Sequence, residues 1–125
     1  MATNVKYIVD ASVLLAVGRG DWLKIEMLGL HRKRDVAVPE PVVLRSAREV
    51  RALTKPSALR RWEMLMAEMP RVPWTKEVTD KLLELGVPGD LDAVTAAHAL
   101  AHDATVLTTD RARYTAIPGL RIDEL

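Results

Sequence analysis

The sequence predicts an α/β fold in three layers, with a central, mainly parallel sheet between helices. Three observations carry that expectation. Short β-rich apolar runs alternate with helical patterns, and right-handed crossovers turn that order into a parallel sheet covered on both faces. The 125 residues suit one domain, 1–125, and a chain of this size buries about two-thirds of its unfolded surface without staples. The composition, 49% hydrophobic and 28% charged, is that of a packed domain and not of a disordered one.

Val5–Val9 (VKYIV) is a buried-type strand that ends at Asp10. From Ala11 the pattern turns helical (ASVLLAV) and stops at Gly18-Arg19-Gly20. Asp21 is placed to cap a second helix through Trp22, Ile25 and Leu28 towards His31. Asp35–Val38 reads as a second strand, closed by Pro39. Pro39 and Pro41 sit where the first turn of a helix tolerates them. That helix has Val43, Ala47, Val50 and Thr54 on one face and Arg48, Arg51 and Lys55 on another. Ser57–Met69 is the next helix, with Leu59, Trp62, Met66 and Met69 at core spacing. Pro70 and Pro73 bracket a short extended piece, and Thr75 is a plausible cap for a helix to Leu85. After the Gly86-Val87-Pro88-Gly89 loop comes an Ala-rich helix, Leu91–His102, then a third buried strand, Ala104–Leu107. A final short strand is expected at Leu120–Ile122.

The absence of cysteine excludes disulfides, thiolate metal sites and thiol nucleophiles, and it fits a reducing, cytoplasmic location. No apolar run approaches a membrane span, so no membrane association is expected. The Asp inside the apolar N-terminal stretch argues against a signal peptide. A net charge of +1 conceals an asymmetry: residues 1–61 hold twelve Lys/Arg against six Asp/Glu, and residues 62–125 hold six against eleven.

Three acids stand where a parallel sheet gathers function. Asp10 ends the first strand, Asp110 lies just beyond the third, and Asp92 sits in the first turn of the helix leading into that strand. In open α/β sheets the site forms outside the carboxyl ends of the strands, at the switch in strand order. Singly, each Asp is most often a turn former or a helix cap. Together they form a carboxylate cluster that a cation must neutralise, and oxygen-only ligation selects Mg²⁺ or Mn²⁺. Such ions activate water and stabilise the leaving oxygen of a phosphodiester. The chemistry indicated is metal-dependent hydrolysis at phosphorus.

The segments Y-I-V-D-A-S-V-L-L (7–15), V-P-E-P-V-V-L (38–44), L-D-A-V-T-A-A-H-A-L-A (91–101) and A-T-V-L-T-T-D (104–110) resemble PIN domains. The resemblance is strongest to the single-domain toxins of VapBC toxin–antitoxin modules. It implies a three-layer α/β/α PIN-like domain and a metal-dependent endoribonuclease. Asp10, Asp92 and Asp110 would be the metal-site and catalytic acids, with Ser12 and Thr108 as supporting hydroxyls. It further implies a cognate antitoxin that inserts a C-terminal segment near the site, an RNA substrate and a homodimer. The early helices, roughly residues 22–34 and 57–69, offer Trp and Met side chains for such contacts.

One position departs from the family pattern. Members usually carry a Glu six residues beyond the Pro or Ser that opens the helix after the second strand, and that count from Pro39 lands on Arg45. A guanidinium repels a cation but forks readily onto a carboxylate. Three readings are open. Arg45 replaces the metal electrostatically, leaving a weak or non-catalytic protein that binds an antitoxin or RNA without cleaving it. Alternatively Glu49, one turn further on, serves as fourth acid, or Glu40 does from the P-E-P turn. Third, the register differs, and Asp90 is a further carboxylate whose commoner role is capping.

Arg45 to Arg61 is a basic stretch whose simplest reading is a solvated helix face. Its functional reading is a phosphate-tracking surface, with Arg48, Arg51 and Lys55 binding the RNA backbone. His98 and His102 stand i,i+4, yet without a third ligand they read as partly exposed helix positions and not as a zinc site. A receiver domain would want a paired acid at the first strand, and a dinucleotide binder a G-x-G-x-x-G; neither is present.

Overall fold

The structure is a computed structural model that describes residues 5–125. Residues 1–4, the start of the N-terminal stretch read above against a signal peptide, lie outside it. Five parallel strands form one sheet in the order β3-β2-β1-β4-β5: β1 (Tyr7–Val9), β2 (Val36–Pro39), β3 (Arg71–Val72), β4 (Thr105–Thr108) and β5 (Ile122–Glu124). The chain steps outward from β1 through β2 to β3, then crosses back to lay β4 on the other side of β1. The strand order therefore reverses between β1 and β4, whose registers pair Ile8 with Val106 and Val9 with Leu107. A crevice is expected there, beyond the carboxyl ends.

Side-chain alternation along β1 divides the core. Val9 points into a cluster with Val13, Leu14, Val17, Val42 and Met66. Ile8 points into the other, with Val72, Ala96, Ala99, Val106 and Tyr114. The first cluster lies under α1 (Ala11–Arg19), α2 (Trp22–Gly29), α3 (Glu40–Ala52) and α4 (Pro56–Glu68). The second lies under α6 (Leu91–Ala101), which packs against α5 (Lys76–Leu85). In α6, Ala93, Ala96, Ala97 and Ala99 are all buried, and their small side chains bring the helix close to the sheet.

Several local expectations shift. The first helix runs through Gly18 and ends at Gly20, whose φ of 77° is the left-handed closure that glycine provides. A β-carbon at Gly18 would stand 2.7 Å from Val50 Cγ2, so α1 and α3 approach too closely for any larger residue. The third helix stops at Ala52, because Lys55 before Pro56 must be extended. Thr54, read as continuing the helical face of Val43, Ala47 and Val50, lies beyond the helix and is exposed at φ 55°. Ser46 is buried in its stead, bonding the Val43 carbonyl at 3.0 Å and accepting from Trp62 Nε1 at 2.9 Å. The last strand lies two residues later than read, since its register on β4 pairs Val106 with Ile122 and Thr108 with Glu124. It is an edge strand, and its acidic Asp123 and Glu124 hide the apolar pattern that marks interior strands. No helix among the described residues is long and apolar enough to cross a membrane.

Candidate functional site

At the β1–β4 switch the chain builds a buried polar floor. Asp10 follows β1 and caps α1, accepting from the Val13 N–H at 3.2 Å. The bland role of an Asp at a strand end is thus realised, but it uses only part of the carboxylate. The same Oδ1 accepts from the Ser12 hydroxyl at 2.5 Å, and Oδ2 accepts from the Tyr114 hydroxyl at 2.8 Å. Asp10 is 1% exposed and Tyr114 fully buried. Burial first, and then the adjacent Asp10 charge, push the Tyr114 phenol well above its ordinary value, so the ring stays a hydrogen-bond donor. Ser12 Oγ also accepts from the Thr109 N–H at 3.0 Å, and Thr108 Oγ1 accepts from the Asp110 N–H at 3.1 Å. Of the two hydroxyls read as neighbours of the acids, Ser12 fastens the end of β4 to the start of α1, and Thr108 braces the turn that carries Asp110.

Above this floor the other acids are looser. Asp90 caps α6 through the Ala93 N–H at 2.9 Å, leaving Asp92 in the first turn with no capping duty. Burial pushes the Asp92 carboxyl above its ordinary value; Arg113 draws it back, and the charges of Asp10 and Asp90 add to the rise. Asp110 caps a single 3₁₀ turn, Arg111–Tyr114, accepting from the Ala112 N–H at 3.1 Å. That turn sends Arg113 back over the rim, 3.7 Å from Asp92 and 3.6 Å from Asp110.

A cleft of about 490 Å³ opens beside these groups. Its acids include Asp92, Asp90 and Glu49, and its cations are Arg19, Lys24, Arg45 and Arg113. Arg45 and Glu49, one turn apart on α3, therefore both face it. Glu40 turns away to Arg71, 3.8 Å distant at the opposite side of the sheet. Arg48, Arg51 and Lys55 are exposed and stand outside the lining. Arg61 is committed elsewhere: its guanidinium bonds the Val17 and Gly18 carbonyls at the end of α1, the closest contact 2.8 Å.

The donors available at this rim are oxygens, carboxylate and hydroxyl, and that chemistry suits a hard divalent ion. The negative charge that accumulates around Asp92 is what such an ion relieves. In spacing, however, no three His, Cys, Asp or Glu side chains among the described residues are grouped to hold one ion. A guanidinium stands between two of the acids instead.

Two residues of this site escaped the sequence reading, Arg113 and Tyr114. They stand three and four residues beyond Asp110, and it is the single 3₁₀ turn, which leaves no periodic pattern in the sequence, that returns them over the strand ends. The reading of His98 as partly exposed is corrected. It is completely buried, with Nδ1 2.9 Å from the Val94 carbonyl and Nε2 without a partner, edge-on to Trp74 at 5.7 Å between centroids. The tight Ala packing of α6 draws it inward, and burial pushes its pKa down. His102 ends the same helix as its C-cap.

Solved structures with the same fold include VapBC2 from Rickettsia felis bound to a promoter DNA fragment. It shares 16% identity at a TM-score of 0.76, covering 97% of this chain and 99% of that one. DNA-bound VapBC from Salmonella typhimurium matches at 15% identity and TM-score 0.76, over 96% and 98% of the two chains. VapC20 of Mycobacterium tuberculosis, a toxin that cleaves the sarcin-ricin loop, matches at 16% identity and TM-score 0.68, over 93% and 99%. No curated protein matches the sequence. The PIN domain family model matches residues 7–118, a span that runs from β1 through the 3₁₀ turn holding Arg113 and Tyr114. The chain belongs to the PIN domain family.

Proposed function

We propose that this protein is an endoribonuclease toxin of the VapC type, acting in the cytoplasm and held in check by a cognate antitoxin. Family membership supplies the reaction class, since PIN nucleases generally use divalent metal ions to cut nucleic acid. The observation that supports the reading for this chain is the β1–β4 switch, where buried Asp10 lies behind a cleft lined by Asp92, Asp90 and Glu49 and by four cations, and Arg113 joins Asp92 to Asp110, which stands outside the lining. Asp10, Asp92 and Asp110 would hold Mg²⁺ or Mn²⁺, with Glu49 a fourth acid reaching in from α3. When bound, such an ion supplies Lewis acidity and an activated water. The chain's own part is to fix Asp10 through Ser12, Val13 and Tyr114, and to bind RNA phosphates through Arg19 and Arg45 at the cleft and Arg48, Arg51 and Lys55 beyond it, while Lys24 is held by the Leu125 oxygen. Exposed Trp22, Leu23, Leu30 and Met64 offer apolar surface for the antitoxin and for a second copy in a homodimer.

A second reading, binding without cleavage, is favoured by Arg45 at the cleft, where a guanidinium replaces the usual Glu. One experiment separates the two: RNA cleavage with Mn²⁺ by the protein, by Asp10→Ala and by Arg45→Glu. The nuclease reading expects cleavage that Asp10→Ala abolishes. Activity that appears only in Arg45→Glu would establish the non-catalytic reading.

A further inference from the structure

We infer that Arg113 is a resident counter-ion of the acid site, competing with a divalent cation for Asp92 and Asp110. The inference rests on the reading that these acids hold a metal. Three features of the turn support it. First, the guanidinium reaches both carboxylates, Asp92 at 3.7 Å and Asp110 at 3.6 Å. Neither distance is that of a formed fork, whose N–O bonds run about 2.7–2.9 Å. The group is held by the field of the two acids and not by directed bonds, so an ion of higher charge can displace it.

Second, the turn fixes where Arg113 starts without fixing where it ends. Asp110 caps the turn at one end, and the next residue after Arg113, Tyr114, is locked into the core by its bond to Asp10. The backbone is thus anchored on both sides of a side chain that remains 47% exposed. Its neighbour Arg111 is the contrast: its N–H bonds Glu124 at 2.8 Å and its guanidinium the Ile122 carbonyl at 3.0 Å, which ties it to β5.

Third, carboxylates brought together without a cation repel one another, and Asp92 already bears the charges of Asp10 and Asp90. One guanidinium between Asp92 and Asp110 offsets part of that repulsion. A divalent ion bound to the same carboxylates would supply that charge in place of the guanidinium.

The test is calorimetric Mn²⁺ titration of the full chain beside Arg113→Gln, Arg113→Lys and, as a control at the other end of β4, Arg121→Gln. Arg113→Gln is expected to bind Mn²⁺ about tenfold more tightly, the effect of removing a unit positive charge a few ångströms from the ion. Arg113→Lys keeps the charge and is expected within about threefold of the parent. Arg121→Gln, whose partner is Asp103, leaves the affinity unchanged. A second readout is thermal: without metal Arg113→Gln melts below the parent, and Mn²⁺ raises its melting temperature by more. Equal or weaker Mn²⁺ binding by Arg113→Gln, with the parent binding measurably, overturns the competition alone. Absence of Mn²⁺ binding in every variant overturns both the competition and the metal-site reading beneath it.

Discussion

The floor and the rim of the site carry the same charged group and treat it in opposite ways. Asp10 on the floor is 1% exposed and receives hydrogen bonds from a helix N–H, a serine hydroxyl and a buried phenol. Asp92 and Asp110 on the rim lean on one half-exposed guanidinium at ion-pair distance. Directed bonds in a dry environment fix an acid in place, whereas long ion pairs near water leave it exchangeable. The floor is therefore architecture, and the rim contributes little to it.

Mutations that treat the two alike would break this contrast. The largest effect is expected for Asp10→Ala, which strands three donors and removes the cap of α1. It should cost about 3–4 kcal/mol of stability, measured by urea unfolding, beyond any loss of cleavage. Tyr114→Phe leaves Oδ2 of Asp10 buried without its donor and is expected to cost about 2 kcal/mol in the same measurement. If Tyr114→Phe proves neutral, the phenol is not holding the acid.

His98 tests the comparison within one helix, six residues along from Asp92. Burial lowers its pKa below the ordinary 6.5, so the folded state keeps it neutral while the unfolded chain takes up a proton. The stability this represents is complete above pH 6.5 and is lost as the pH falls below it. The expected slope is at most about 1.4 kcal/mol per pH unit. His98→Leu should flatten the dependence of unfolding free energy on pH in that window; an unchanged slope would assign the acid sensitivity to other groups. The smallest effect belongs to the rim. Asp92→Ala is expected to change stability by less than about 0.5 kcal/mol, since burial and like charges already disfavour its ionised form. A loss comparable to that of Asp10→Ala would make the rim structural after all.

The same division governed what the sequence revealed. The apolar runs at Val5–Val9 and Ala104–Leu107, each followed by an Asp, located the interior strands and the switch between them, because buried parallel strands carry unbroken apolar pattern. Asp90 as a cap, and Asp92 beside it without one, also followed from position. Arg113 and Tyr114 did not, because a one-turn 3₁₀ helix has no periodicity to read and both residues resemble ordinary surface sequence. Ser46 and His98 were misplaced or overlooked for a related reason: a polar side chain enters the core only when a particular partner awaits it. Ser46 has Trp62 and the Val43 carbonyl, and His98 has the Val94 carbonyl. Such partners are tertiary facts, invisible to hydrophobic pattern.

The bond between Tyr114 and Asp10 spans 104 positions of the chain. A ribosome adds Asp10 to the chain 104 residues before Tyr114, so the acid emerges long before its donor. The centre strand β1 likewise waits for β4 to be synthesised before its second neighbour can pair. A nascent chain that has not yet reached Tyr114 therefore carries an Asp10 without its phenol. The floor of this cleft waits for Tyr114, and a product truncated before that residue cannot assemble it.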